Sequence, residues 1–201
     1  VYKRQQVIHE FEAALRSVVT DMIPQALSNI IWEYSKFGLR PMPETLDALE
    51  HVAGGLIRKM SPQGVANTLY GYAALPRTAT DQTRDTAMSV VPLAELEEAI
   101  ERVAPDMNSQ GVASTICAYG TLGVPPSQQV IDELEAALRR VVTEMNPQHF
   151  SNIIKAYSKF GVRPMSETLD ALQQVAPGLI RKMSPQGVAN TLYGYCLLYT
   201  S

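Results

Sequence analysis

A chain that repeats itself every few dozen residues has few folds open to it, because each unit must be one small supersecondary element that hides its apolar side against its neighbours. Here a methionine followed three residues later by glutamine recurs as Met22 and Gln25, Met60 and Gln63, Met107 and Gln110, Met145 and Gln148, and Met183 and Gln186. The spacings are 38, 47, 38 and 38 residues. The long interval carries a nine-residue insertion in the Thr- and Asp-rich stretch between Pro76 and Pro92, which reads as an enlarged surface loop. A larger unit overlies the short one: 6–75 aligns with 129–198 at an offset of 123 residues, and 60–72 is identical to 183–195. An array grown by duplication gives its units one fold.

Within each unit the punctuation predicts two helices. Helix A opens with Ser61, Asn108, Asn146 or Ser184, whose side-chain oxygen can accept from a free N–H of the first turn. Pro62, Pro147 or Pro185 follows, at the helical position where a missing N–H costs nothing. The helix closes at Gly38, Gly123 or Gly161, and Pro41, Pro126 or Pro164 stands just beyond to prevent continuation. Its core stripe is Leu27, Ile31 and Tyr34 in one unit and Val65, Leu69 and Tyr72 in the next, with the tyrosines read as packing residues whose hydroxyl sits at the rim. Helix B starts near Glu44, Gln128 or Glu167 and runs towards the next methionine. Val130, Leu134, Leu138 (or Ala137) and Val141 give it the three-and-four spacing of a helix buried along one side. Gly54-Gly55 and Pro177-Gly178 fall inside helix B and predict a kink or a shortened helix.

No segment alternates as a strand would, so the expected fold is all-α, a right-handed α-solenoid of stacked two-helix repeats of about 38 residues. It forms a single domain over 6–195: a partial repeat at 6–21, repeats at 22–59, 60–106, 107–144 and 145–182 with the loop insertion near 76–92, and a partial repeat at 183–195. That last piece lacks its helix B, so fraying is expected there. The period excludes the 34-residue tetratricopeptide and 33-residue ankyrin patterns.

The two ends read differently from the rest. Residues 1–5 back-translate to GTG TAT AAG AGA CAG and residues 196–201 to TGT CTC TTA TAC ACA TCT, and the second string contains the reverse complement of almost all of the first. Inverted copies of one DNA sequence look like transposase adapter ends translated along with an insert. Residues 1–5 and 196–201 are therefore expected to be non-native, and 6–195 to be a metagenomic-type fragment of a longer reading frame.

Composition excludes several functions. The chain has 17 Lys+Arg against 20 Asp+Glu, and without Lys3 and Arg4 the balance is 15 against 20, a net charge of −5. Bulk charge alone therefore does not point to nucleic acid, and any such case must rest on how the cations are distributed. No apolar run approaches the eighteen or so residues of a membrane span. Cys117 is the one cysteine outside the terminal scar, which fits a reducing, intracellular setting. His9, His51 and His149 lie far from other ligand types, so no metal and no cofactor is expected. There is no Ser-His-Asp or Cys-His constellation and no glycine-rich phosphate loop, so neither catalysis nor a small-molecule substrate is expected.

The side of helix A opposite its core stripe carries the candidate site. Gln25, Asn29, Trp32 and Lys36 share one side by helical spacing. Their counterparts are Gln63, Asn67, Tyr70 and Ala74; Gln110, Ser114, Cys117 and Thr121; Gln148, Asn152, Lys155 and Lys159; and Gln186, Asn190 and Tyr193. Amides are nearly constant while the third member varies, which suits a modular reader of a polymer: aromatics stack on bases and amides bond base edges. The plainer reading is that the glutamine only caps the helix and that the variable position is simply unconstrained. Arg58-Lys59, Arg139-Arg140 and Arg181-Lys182 lie late in helix B and form a candidate phosphate track; equally, cations near a helix C-terminus answer the macrodipole.

The phrase Met60-Ser-Pro-Gln-Gly-Val-Ala-Asn-Thr-Leu-Tyr-Gly-Tyr-Ala-Ala-Leu75, with Lys36-Phe-Gly-Leu-Arg-Pro41 ending its counterpart, resembles the octotricopeptide repeat. The likeness covers nearly all of 6–195. It implies 38-residue helical pairs that bind single-stranded RNA through helix A residues, in chloroplast or mitochondrial RNA maturation, stability or translation. By that resemblance the matching positions here are the polar-face residues named above. The alternative is a scaffold that docks an extended peptide or partner helix, for which Trp32 and Phe37 are better suited than Lys155.

Overall fold

The computed structural model describes residues 2–76 and 92–200, and every regular element among them is helical. In order these are α1 (Tyr2–Val18), α2 (Pro24–Lys36), α3 (Pro43–Ile57), α4 (Pro62–Ala74), α5 (Leu93–Val103), α6 (Ser109–Leu122), α7 (Gln128–Val141), α8 (Pro147–Phe160), α9 (Ser166–Ile180) and α10 (Pro185–Thr200). Three-residue 3-10 turns, Val19–Asp21, Ala104–Asp106 and Val142–Glu144, follow α1, α5 and α7. The even-numbered helices are helix A of successive repeats and the odd-numbered ones helix B. The inserted loop expected near 76–92 lies almost wholly outside the described residues.

The predicted caps form. The side chains of Ser61, Asn108, Asn146 and Ser184 accept from the N–H groups of Gly64, Gly111, His149 and Gly187 at 3.2, 2.8, 2.8 and 3.2 Å. At the other end Gly38, Gly123 and Gly161 take φ of 62°, 77° and 68°, the left-handed turn that L side chains resist. The expected break in helix B does not occur. α3 and α9 each run 15 residues straight through Gly54-Gly55 and Pro177-Gly178. Pro177 falls four residues from the end of α9, so the ring removes one hydrogen bond near a terminus and not the middle of the ladder.

The chain divides into two compact units, Val1–Ala99 and Ile100–Ser201. In the first, α2 lies on α4 and α1 on α3; in the second, α6 lies on α8, α8 on α10, and α7 on α9. Like helices thus stack on like, and the repeat is built into the packing. The A helices come very close. A Cβ added at Gly71 of α4 would sit 2.8 Å from Ile31 Cγ2 of α2, and one added at Gly120 of α6 would sit 2.7 Å from the Ala156 Cα of α8. Glycine is needed there because backbone meets backbone. Leu27, Ile31, Leu69, Ile153 and Ile154 on these helices are wholly buried, each worth roughly 1.5–3 kcal/mol of transfer from water.

The rows of stacked helices are tied together by a polar device that the sequence reading passed over. Glu135 of α7 is fully buried. It accepts from the Tyr157 hydroxyl at 3.3 Å, from the Met165 N–H at 3.2 and 3.0 Å, and from the Thr168 hydroxyl. Arg139, one turn on, lies 3.9 Å from the same carboxylate and donates to Thr168 at 2.7 Å. One side chain therefore joins helix B of one repeat, helix A of the next and the start of the following helix B. The same arrangement stands in the first unit, where Glu12 accepts from Tyr34 at 2.9 Å, from Met42 N–H at 3.3 and 3.1 Å and from Thr45 at 2.8 Å, with Arg16 at 3.9 Å. The tyrosines are packing residues, but the hydroxyls of Tyr34 and Tyr157 serve the buried carboxylate and not the rim. Burial is the first cause, and the neighbouring carboxylate the second, of both phenols being pushed up beyond the ordinary range.

Candidate functional site

Helical spacing alone brings each polar set to one side of its helix, and the packing of A upon A then places neighbouring sets side by side. Gln25, Gln63, Gln110, Gln148 and Gln186 are all exposed. None is needed as a cap in the four repeats where the preceding Ser or Asn does that work. Instead the Gln25, Gln148 and Gln186 amides donate to Asn29, Asn152 and Asn190 one turn later, at 2.9, 3.0 and 3.1 Å. The plain capping account of the glutamine is thereby answered. Each pair is a short amide ledge whose remaining donors and acceptors face out. Asn29 is exposed, while Asn67, Ser114, Asn152 and Asn190 are half-buried.

The third members meet across repeats. In the first unit the rings of Trp32 and Tyr70 lie 5.5 Å apart at 44°, inside the range of favourable tilted aromatic pairs. Both are half-buried, so each is held at its base and presents part of its ring outward. In the second unit the third members are Cys117, Lys155 and Tyr193, and the character changes from aromatic to mixed. Burial pushes the Cys117 thiol up, partly offset by its hydrogen bond with Thr121 and by the charges of Lys159 and Lys155. The thiol is therefore a neutral surface element beside two cations and no nucleophile. Lys155, Lys159 and Tyr193 are exposed, and so is Lys36, which stands 4.0 Å from Glu33.

The candidate phosphate track divides. Lys59, Arg181 and Lys182 are exposed, as is Arg58, which stands 3.6 Å from the equally exposed Glu98. Arg139 and Arg140 belong elsewhere. Arg139 serves Glu135 and Thr168, and Arg140 donates to the Ala104 and Met107 carbonyl oxygens. A guanidinium anchored in the fold is poorly placed to meet a strand, so these two are packing residues. Spacing could not reveal this, because their acceptors lie about thirty residues away.

Among the described residues no group of three or more His, Cys, Asp or Glu could hold a metal ion, and no helix is long and apolar enough to cross a membrane. Neither known family patterns nor curated proteins match this chain.

Proposed function

We propose that the chain is a non-catalytic binding protein that takes single-stranded RNA along the outward side of its A helices. The observation that carries this reading is the register of that side. Equivalent Gln–Asn ledges recur on α2, α8 and α10, and adjacent third members touch where Trp32 meets Tyr70. Half-held aromatics beside outward amides are what stacking on bases and bonding to their edges require. The resemblance to the octotricopeptide repeat supports the same reading and adds the organellar setting in chloroplast or mitochondrion.

Trp32 is the only tryptophan in the chain, so its fluorescence reports on the site directly. Titration with single-stranded RNA pools at two salt concentrations is expected to quench it, more strongly at low salt as phosphate contacts release counterions. Trp32→Ala is expected to weaken binding about 5- to 150-fold, the equivalent of about 1–3 kcal/mol for one stacked base. Absence of binding at low salt would remove the RNA reading. The second reading, a scaffold for an extended peptide, is favoured by Phe37 and Ile23, 68% and 63% exposed at the two ends of α2. Quenching by an apolar peptide but not by RNA would select it.

A further inference from the structure

The duplication leaves the chain with two complementary apolar surfaces. On α1, Val7, Phe11 and Val18 are 49%, 72% and 53% exposed, and with Ala14 they form one helical stripe. Their counterparts 123 residues on, Val130, Leu134, Val141 and Ala137, are at most 3% exposed in α7. The cause is plain from the packing: α7 has α9 on one side and α6 with the turn Ala104–Asp106 on the other, whereas α1 has α3 alone.

The converse holds on α10. Val188 and Leu192 are 39% and 62% exposed, and Ile180 at the end of α9 is 41% exposed. These three and Tyr195 line an open apolar hollow of about 390 Å³. Their counterparts 76 residues earlier, Val112, Ile116, Ala104 and Tyr119, are all buried, on the very helix and turn against which α7 lies.

We propose that the occupant of this hollow is α1 of a second copy of the chain, packed on α10 and Ile180 as α7 packs on α6 and Ala104. Each half of the contact already exists inside the molecule in equivalent residues, so the new interface continues an established one. It is heterologous, with one surface on each end, and adds copies head to tail. Ser17 stands where α7 has Arg140, so the clamp onto the Ala104 and Met107 carbonyl oxygens is missing. The contact is accordingly weaker than its internal model.

Sedimentation of the full chain from roughly 1 to 100 µM, a range in which interfaces of modest quality dissociate, is expected to show a mass rising continuously past two copies. Phe11→Glu and Leu192→Glu each close one end at a residue the fold leaves in solvent. Each variant alone is expected to be monomeric with unchanged helicity, and the two mixed in equal amounts are expected to form dimers and nothing larger, through their two unaltered ends. A wild-type chain monomeric throughout, a variant that still assembles, or a mixture that stays monomeric would each overturn the proposal. Should either variant lose helicity, Val18→Lys and Ile180→Lys carry the same test. None of these outcomes bears on RNA binding, which uses another side of the A helices.

Discussion

Residues 62–72 and 185–195 are the same sequence in two settings. Leu69 in α4 is fully buried, while Leu192 in α10, the same residue of the same motif, is 62% exposed; Val65 and Val188 differ in the same way, 0% against 39%. The local chain is not the cause, since both stretches are helical and carry the same Ser cap. What differs is the layer beyond. In a stacked array the burial of a side chain is a property of its neighbours, and a repeat acquires its core only when the next repeat arrives.

The contrast can be broken where it is strongest. Glu135→Ala would strand the Tyr157 hydroxyl, the Met165 N–H and Arg139 in a buried site, and the expected loss is about 3–5 kcal/mol by urea denaturation. Glu12→Ala should cost a similar amount in the first unit; a loss in one and none in the other would show that the two networks are not equivalent. Next in size is the duplicated leucine. Leu69→Ala is expected to cost about 2–5 kcal/mol, and Leu192→Ala within about 0.5 kcal/mol of nothing, measured in dilute solution. Equal losses would mean that α10 is covered after all.

The smallest effect concerns Glu50, which holds in α3 the place of Glu12 and Glu135. Burial, then the charge of Asp47, pushes its carboxyl up, and Arg40 opposes them. A raised carboxyl penalises the fold only where it is ionised, so the penalty is absent below its unfolded value and complete above its folded one. Glu50→Gln is therefore expected to stabilise by less than about 1 kcal/mol at neutral pH, the group being partly solvated, with the gain fading as acid protonates the wild type. The duplicate at Gln173 already carries the amide. A stabilisation that persisted unchanged in acid would refute the electrostatic account.

Much of this was legible in the sequence because it is local. Caps, terminal glycines and the three-and-four stripe each need only a turn or two of chain. Helix-breaking residues misled because Gly54-Gly55 and Pro177 were judged by type, when nearness to the helix end makes them tolerable. The buried carboxylates were missed for the opposite reason, since Glu135 finds Tyr157 22 residues away and Met165 30 residues away. A signal was nonetheless present. Glu12, Glu50, Glu97, Glu135 and Gln173 recur at 38, 47, 38 and 38 residues, in phase with the methionines, and a carboxylate that keeps step with a core residue is doing something a solvated one need not. The outward polar side was legible as a pattern, but the contact between Trp32 and Tyr70 required knowing that A helices stack directly on one another.

The glycines at 71 and 120 let successive A helices touch along their backbones, which sets the rung spacing within each unit near the short end of the usual 8–10 Å between helix axes. A stacked nucleic-acid strand advances only about 3.4 Å per residue. A polymer that met one rung per nucleotide would have to be pulled open and its bases parted, so the same small residues that permit close packing would also act as a ruler that rejects any ligand unable to stretch.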